Sequence, residues 1–191
     1  MKYGEEAVYA LLDLLNEAEI SYMLVGSFSS NAYGEARATK DADFVVEISE
    51  EDRRGLLSKL PAEFEADPQA SFETITGHTR QILRIPSIPF EIELFDLSNE
   101  EFDQERFSRR VKTSIGNRTL WLPTAEDVII QKLRWTKLGK RDKDFLDVVG
   151  ILKVRGHKLA WDYIEKWCGK LELMEVLQDA REEAGSGCGP G

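Results

Sequence analysis

Hydrophobic positions in the first fifty residues recur with two different periods. Apolar residues at helical spacing predict an amphipathic helix over residues 4–18, and they are Val8, Leu11, Leu12 and Leu15. The apolar run SYMLVG, residues 21–26, ends at a glycine and predicts a short buried strand. Residues 29–34 have room for one or two helical turns, and DADFVVEI, residues 41–48, predicts a second strand. The chain is therefore expected to begin with a helix and two strands.

The middle of the chain carries a capping box followed by several β-like runs. Ser49 and Asp52 stand three residues apart and open a predicted helix that reaches about Leu60. The further predicted elements are strands over 72–76, 79–85 and 89–95, a helix near 99–107, and a hairpin through Gly116-Asn117. This alternation predicts a mixed α/β part that extends to residue 120.

Beyond Pro123 the pattern is helical. Thr124 and Asp127 form a second capping box. The predicted helices cover residues 124–138, 142–154, 158–168 and 171–183, and the ending AGSGCGPG has the composition of a disordered tail. We therefore expect an α/β (α+β) fold with a mixed sheet and flanking helices. Its parts would be a core over 1–120, a helical region over 121–183 and a tail over 184–191.

The charge balance restricts the partners more than the composition does. Of the 191 residues, 42% are hydrophobic and 31% are charged, which is typical of a soluble globular protein. The formal net charge of −10 argues against binding to extended duplex nucleic acid, because neutralising phosphates needs a basic surface. No apolar run approaches the roughly 20 residues that a bilayer span requires, and the acidic N-terminal segment does not resemble a secretory signal. We expect a cytoplasmic protein with no membrane partner.

The stretch GSFSSNAYGEARATKDAD, residues 26–43, carries the candidate chemistry. Gly26 at the end of a strand permits a sharp turn and the close approach of another group. Ser27 at the start of a helix suits a phosphate, through its hydroxyl and the unpaired N–H groups of the first turn. Asp41 and Asp43, two residues apart on a strand, point to the same face. Two carboxylates in this position suit Mg²⁺ together with substrate phosphate oxygens.

An acid-x-acid pair alone is a weak indication in a chain with 35 acidic residues. The same spacing occurs elsewhere in the chain, for example at Glu17 and Glu19, Glu63 and Glu65, Glu91 and Glu93, and Asp142 and Asp144. Asp41 and Asp43 differ because they follow the Gly-Ser element and lead directly into the apolar run Phe44-Val45-Val46. Carboxylates beside a buried run need compensation, and a metal ion is one source of it. A solvated acidic face is the alternative.

The segment LVGSFSSNAYGEARATKDADFVV resembles the signature of the DNA polymerase β-like nucleotidyltransferase superfamily, in which a Gly-Ser element precedes a metal-binding Asp-x-Asp. It is most similar to the small bacterial branch of minimal nucleotidyltransferases and abortive-infection type toxins. An Arg-x-Thr-x-Asp-x-Asp run is common there, and Arg37, Thr39, Asp41 and Asp43 form it here. TAEDVIIQKLRW and RDKDFLDVVGIL resemble the helical segments that follow the core in those relatives, so the resemblance covers residues 20–155.

The resemblance implies a catalytic set of three carboxylates. The third acid belongs on a later strand beside the first two, and within PFEIELFD the candidate is Glu93, where relatives carry aspartate. Glu91 shares its face, and Asp96 is a weaker candidate on the opposite face or at the end of the strand. Asp41, Asp43 and Glu93 would then hold Mg²⁺, with Mn²⁺ as the alternative ion.

Five residues are implied in nucleotide binding, and they are Gly26, Ser27, Arg37, Thr39 and Lys132. Gly26-Ser27 would cradle the phosphates. Arg37 and Thr39 would either contact the triphosphate or order the loop. Lys132 would either reach the phosphates or line a solvated helix face. Asp144 and Asp147, at positions i and i+3 on one helix face, are expected to form ion pairs with Lys143 or Arg141, or to orient Lys132.

The function implied is transfer of a nucleoside monophosphate from an NTP, ATP among them, to an acceptor, with release of pyrophosphate. The acceptor stays open between an RNA end, a protein and a small molecule. A non-catalytic nucleotide- or partner-binding module on the same fold is the main alternative, and a sugar transferase using Asp-x-Asp is a weaker one. Under this hypothesis the protein partner is an antitoxin or a second copy of the chain.

Overall fold

The structure is a computed structural model that describes Met1 and residues 3–67, 71–73, 78–115, 118–139 and 142–186. The chain forms two compact units. The first unit contains Met1–Phe28 and Ala38–Leu122, and the second contains Ser29–Arg37 and the chain from Pro123 onward. The sequence predicted a boundary at residue 120 and did not assign Ser29–Arg37 to the second unit. The predicted division into domains stays a prediction.

Strands of the first unit form a mixed six-stranded sheet and a separate hairpin within the described ranges. The strands are β1 (Ser21–Val25), β2 (Asp41–Glu47), β3 (Glu65–Ala66), β4 (Ser71–Glu73), β5 (His78–Arg84), β6 (Glu91–Asp96), β7 (Val111–Ile115) and β8 (Arg118–Leu122). The sheet order is β1-β2-β6-β5-β3, with β4 also paired to β5, and β7 pairs with β8. Strands β2 and β6 are parallel, while their outer neighbours β1 and β5 run antiparallel to them.

The helices begin and end close to the predicted positions. They are α1 (Gly4–Glu17), α2 (Gly26–Tyr33), α3 (Glu50–Ser58), α4 (Glu101–Ser108), α5 (Ala125–Gly139), α6 (Asp142–Arg155), α7 (Trp161–Lys170) and α8 (Met174–Ser186). The capping box at Ser49 is confirmed, because the Ser49 side chain accepts a hydrogen bond from the Asp52 backbone N–H at 3.1 Å. Among the helices in the described ranges, none is both long and apolar enough to cross a bilayer.

The two faces of the central sheet differ because side chains alternate along β2 and β6. One face carries buried apolar residues, including Phe44 and Leu94, and packs against Leu11 and Leu15 of α1 and Leu56 of α3. The opposite face carries acids at one end and apolar residues at the other. Val45 and Phe95 form a small cluster there with Phe107 of α4. The acids therefore lie at the end of this face that the apolar cluster does not occupy.

The second unit is a helical assembly with a buried apolar interior. Ile129 and Leu133 of α5, Ile151 of α6 and Ile164 of α7 are fully buried. Gly34 fits closely against α6, because a Cβ added there would stand 2.9 Å from the Ile151 backbone nitrogen. This contact shows how the loop after α2 belongs to the second unit.

A few predictions fall at the limits of the described chain. Helix α8 continues to Ser186, so the first three residues of the predicted tail are helical, and residues 187–191 lie outside the described ranges. The Gly116-Asn117 turn and residues 74–76 of the predicted strand also lie outside them. The fold class is confirmed: a mixed sheet with flanking helices precedes a helical region.

Candidate active site

Strands β2 and β6 bring four carboxylates to the acidic end of one sheet face. The parallel register pairs Asp41 with Glu91 and Asp43 with Glu93. Residues that pair across two strands point to the same side, and successive residues alternate between the sides. Asp41, Asp43, Glu91 and Glu93 therefore share one face, and each is partly buried. The sequence-predicted trio of acids lies within this group of four.

Gly26 and Asp43 are held in close contact at the start of α2. Val25, the last residue of β1, pairs with Asp43, which brings the turn beside the carboxylate. Gly26 has a φ of +61°, a left-handed conformation that glycine adopts without a Cβ penalty. A Cβ at this position would overlap Asp43 Oδ2 and stand 2.9 Å from Asp43 Cγ. Glycine is therefore required here by the backbone and by the carboxylate together.

Ser27 follows directly as the second residue of α2 and is 7% exposed. Its place in the first helical turn, directly after Gly26, agrees with the position expected for a phosphate-binding residue. Its contact with a nucleotide stays a prediction.

Thr39 orients Asp41. Its hydroxyl donates a hydrogen bond to Asp41 Oδ1 at 2.5 Å, which holds the carboxylate close to the start of β2. Sequence reasoning left Thr39 between ordering the loop and touching the triphosphate. The hydrogen bond to Asp41 lies within this segment and orders it. A contact between Thr39 and a nucleotide stays a prediction.

The acids of β6 are matched by arginines of β5. Arg80 Nη1 lies 2.6 Å from Glu93 Oε2, and Arg84 Nε lies 3.0 Å from Glu91 Oε1. Glu93 is the less exposed of the two acids, with 17% of its side chain accessible against 45% for Glu91. Sequence reasoning did not identify Arg80, although alternation along β5 places it on the face of the acids.

Asp96, the weaker candidate for the third carboxylate, has a different setting. It lies on the other side of β6 from Glu93, because the two residues stand three positions apart along the strand and successive side chains alternate. Its carboxylate forms an ion pair with Arg53 of α3. Register and pairing therefore favour Glu93 over Asp96.

Arg37 and Lys132 belong to the second unit, where they join a buried ion cluster. Lys132 Nζ lies 2.7 Å from Asp144 Oδ1 and 2.7 Å from Asp147 Oδ2. Arg37 donates two hydrogen bonds to the Asp147 carboxylate, from Nε at 2.7 Å and from Nη2 at 3.0 Å. The Ser30 hydroxyl donates to the same carboxylate at 3.1 Å. Lys132 is 3% exposed, so the solvated-face alternative does not describe it. The nucleotide-binding roles of both cations stay predictions.

The cluster has a clear electrostatic balance. Burial by itself raises the pKa of Asp147, but hydrogen bonds from Arg37 and Lys132 outweigh it and hold that pKa below its ordinary value of 3.8. The cluster contains the cations Arg37 and Lys132 and the carboxylates of Asp144 and Asp147, and each of the four has an oppositely charged neighbour. The expectation that Asp144 and Asp147 form ion pairs is therefore confirmed, and the described partners are Lys132 and Arg37.

Comparison with solved structures identifies the fold. A nucleotidyltransferase-like protein from Paracoccidioides brasiliensis matches with a TM-score of 0.58 and 18% identity over 94% of this chain and 92% of that one. The lincosamide adenylyltransferase LnuA, bound to lincomycin, matches with a TM-score of 0.55 and 10% identity over 81% of this chain and 99% of its own. JHP933 from Helicobacter pylori matches with a TM-score of 0.54 and 16% identity over 95% and 89% of the two chains.

The chain has a minimal nucleotidyltransferase fold. No protein-family model and no curated protein matches the sequence. The similarity is therefore one of three-dimensional structure, and sequence identities this low show only that the fold is shared.

The donor chemistry of the acidic face fits a hard divalent cation. Asp41 and Asp43 offer carboxylate oxygens on one face, and Mg²⁺ favours such oxygens together with substrate phosphates. Within the described residues, no three acidic, histidine or cysteine side chains are already gathered around one point as a metal site. Glu93 is paired with Arg80, so it would have to exchange this partner for an ion. Asp41 and Asp43 supply the acid-x-acid pair on β2, and Glu93 would join them after leaving Arg80.

Substituting Gly26 tests the close contact with Asp43. We expect Gly26→Ala to lower the free energy of unfolding by about 1–2 kcal/mol, because alanine is strained in the left-handed region, and to displace the Asp43 carboxylate. The matched control is Gly55→Ala on α3, where a Cβ meets no atom within 4 Å. Urea unfolding should show this control to be neutral or slightly stabilised, and equal stability of both variants would contradict the contact.

Acid titration tests the ion cluster. Because the folded-state pKa of Asp147 is lowered, its stabilisation is complete above the ordinary value and is lost as the pH falls through the folded-state pKa. Asp147→Asn should cost about 3 kcal/mol at neutral pH, since it removes a partner of a buried cation, and should lose less stability on acidification than the wild type. Asp142→Asn, an exposed position on the same helix, is the control. Parallel pH profiles for wild type and Asp147→Asn would contradict the assignment.

Proposed function

We propose that the protein is a metal-dependent nucleotidyltransferase that moves a nucleoside monophosphate from an NTP to an acceptor hydroxyl. One observation carries the proposal: Asp43 is held against the Gly26 turn and stands in register with Glu93 on the acidic sheet face. The fold supports it, because proteins that share this fold include one described as an adenylyltransferase. For that reason ATP is the first nucleotide to test.

The proposed reaction is an in-line displacement at the α-phosphorus. The acceptor hydroxyl oxygen forms a bond to the α-phosphorus, and the bond from that phosphorus to the bridging oxygen of the β-phosphate breaks. Pyrophosphate leaves with the electron pair, and the hydroxyl proton passes to the Glu93 carboxylate. Bound divalent cations would supply neutralisation of the pyrophosphate charge and activation of the hydroxyl. Catalysis of this kind depends mainly on positioning and electrostatic stabilisation.

Each residue of the first unit has a distinct part in this proposal. Asp41 and Asp43 hold the cation, and Thr39 fixes the orientation of Asp41 through its 2.5 Å hydrogen bond. Gly26-Ser27 provides the backbone turn and the first helical residues for the phosphates. Arg80 neutralises Glu93 until that carboxylate turns to the reacting centre.

A second candidate is a nucleotide- or partner-binding module without turnover. The ion pair between Arg80 and Glu93 favours it, because the pair occupies the third carboxylate. In such a module Asp41 and Asp43 still hold a metal-bound nucleotide, while no pyrophosphate is released. The two candidates therefore differ in turnover and agree in binding.

The test measures pyrophosphate release from ATP, CTP, GTP and UTP in the presence of Mg²⁺ and of a mixture of candidate acceptors that carry a hydroxyl. We expect Asp43→Asn to lower the rate by roughly 10³-fold, because it removes a charge aimed at the reacting phosphates, and to leave Tm nearly unchanged. Glu47→Gln is the matched control, since Glu47 is an exposed acid on the same face of β2. A wild-type rate in Asp43→Asn would contradict the enzyme assignment. Release by neither protein, with nucleotide binding intact, would favour the binding module.

A further inference from the structure

A cavity of about 410 Å³ opens beside the acidic face and has no part in the phosphate-binding arrangement described above. Asp41 and Glu93 line one side of it. Among the described residues, its lining does not include Gly26, Ser27 or Asp43. The cavity therefore touches two of the three candidate metal ligands and does not include the Gly-Ser turn. A group bound in it would lie beside these acids without occupying that turn.

The far wall of the cavity is apolar and belongs to the loop between β5 and β6. Its lining residues are Ile85, Pro86, Ile88, Pro89 and Phe90. A wall of this kind favours an apolar group of the ligand, at about 25 cal/mol for each Å² removed from water. The volume lies within the range of small-molecule sites and is too small for a folded partner.

This loop is built as a fixed surface. The Ile88 backbone N–H donates to the Ile85 carbonyl at 3.0 Å, and the Phe90 N–H donates to the Ile88 carbonyl at 2.8 Å. Two prolines restrict φ within the loop. The Phe90 ring packs so closely on Gly4 that a Cβ there would overlap it. A wall that is already ordered loses little entropy when a ligand binds, so it is suited to select ligands by shape.

The near wall carries no surplus of positive charge for an anionic ligand. Asp41, Glu91 and Glu93 contribute three carboxylates, against the two lining cations Lys40 and Arg84, and Glu93 is also paired with Arg80. Arg84 is engaged by both Glu91 and Asp67. An RNA end would bring further phosphates to a wall without the basic surplus that neutralises them, whereas an uncharged or cationic molecule does not need that surplus.

We propose that this cavity is the acceptor site, and that the acceptor is a small, uncharged or cationic molecule with an apolar body and a free hydroxyl. The proposal rests on the proposed function for the identity of the reaction. Ile88 is then a specificity-determining residue, because it is partly exposed in the apolar wall.

The test uses n-hexyl β-D-glucoside as the probe, methyl β-D-glucoside as its counterpart without an apolar body, and a short single-stranded RNA as the polyanionic alternative. Isoleucine methyl resonances of the full chain are followed during each titration. We expect saturable shifts at Ile85 and Ile88 with the hexyl glucoside, and none with the other two probes. Ile129 and Ile164, which are fully buried in the second unit, should not move.

A pair of variants separates the cavity wall from the core. Ile88→Ser should weaken hexyl glucoside binding by about tenfold, since it removes apolar contact area. Ile48→Ser is the matched control, because Ile48 is also partly buried against the same core and does not line this cavity. Equal weakening by both variants, shifts with RNA alone, or no shifts at Ile85 and Ile88 with any probe would overturn the proposal.

Binding of Mg²⁺ with ATP, measured on the same samples by thermal shift, reports on the proposed function separately. Methyl shifts without ATP binding support the cavity and contradict the nucleotidyltransferase. ATP binding without methyl shifts leaves the nucleotidyltransferase standing and overturns the acceptor site. The two failures are therefore distinguishable.

Discussion

Parallel pairing of β2 with β6 places Asp43 beside Glu93 and, on the opposite face, Phe44 beside Leu94. Because strand side chains alternate, the same register that buries the aromatic and aliphatic residues presents the acids on the other side. A slip of one residue would drive the carboxylates into the core and expose Phe44. The apolar core therefore fixes the relative position of the acids, and the candidate chemistry depends on a register that folding itself enforces.

Clustered carboxylates repel one another, and the first unit contains the compensation for this cost. Like charges on adjacent strands are destabilising. Arg80 and Arg84 of β5 stand against Glu93 and Glu91, and the Thr39 hydroxyl donates to Asp41. Glu91 and Glu93 of β6 are thus neutralised within the protein. A cation bound at Glu93 would have to compete with Arg80 for that carboxylate.

The sequence predicted local features well and long-range pairings poorly. Strand β2, the turn at Gly26 and the shared face of Asp41 and Asp43 follow from periodicity and from the conformational freedom of glycine. Glu93 could be chosen only by resemblance, because the register between β2 and β6 is not encoded by spacing. The pairs of Arg80 with Glu93 and of Lys132 with Asp147 join residues that are 13 and 15 positions apart. Only folding brings such partners together, and the cavity wall from the β5–β6 loop was missed for the same reason.

The most direct test of the central claim is a thermal-shift titration with ATP, with Mg²⁺ and with EDTA in its place, on the wild type and on the Asp41→Asn/Asp43→Asn double variant. Ligand at 100 times its dissociation constant adds about 2.7 kcal/mol to the free energy of unfolding, which is readily measured. We predict a rise in Tm that requires both Mg²⁺ and the two aspartates. An equal rise in EDTA or in the double variant, or no rise in the wild type, would contradict it.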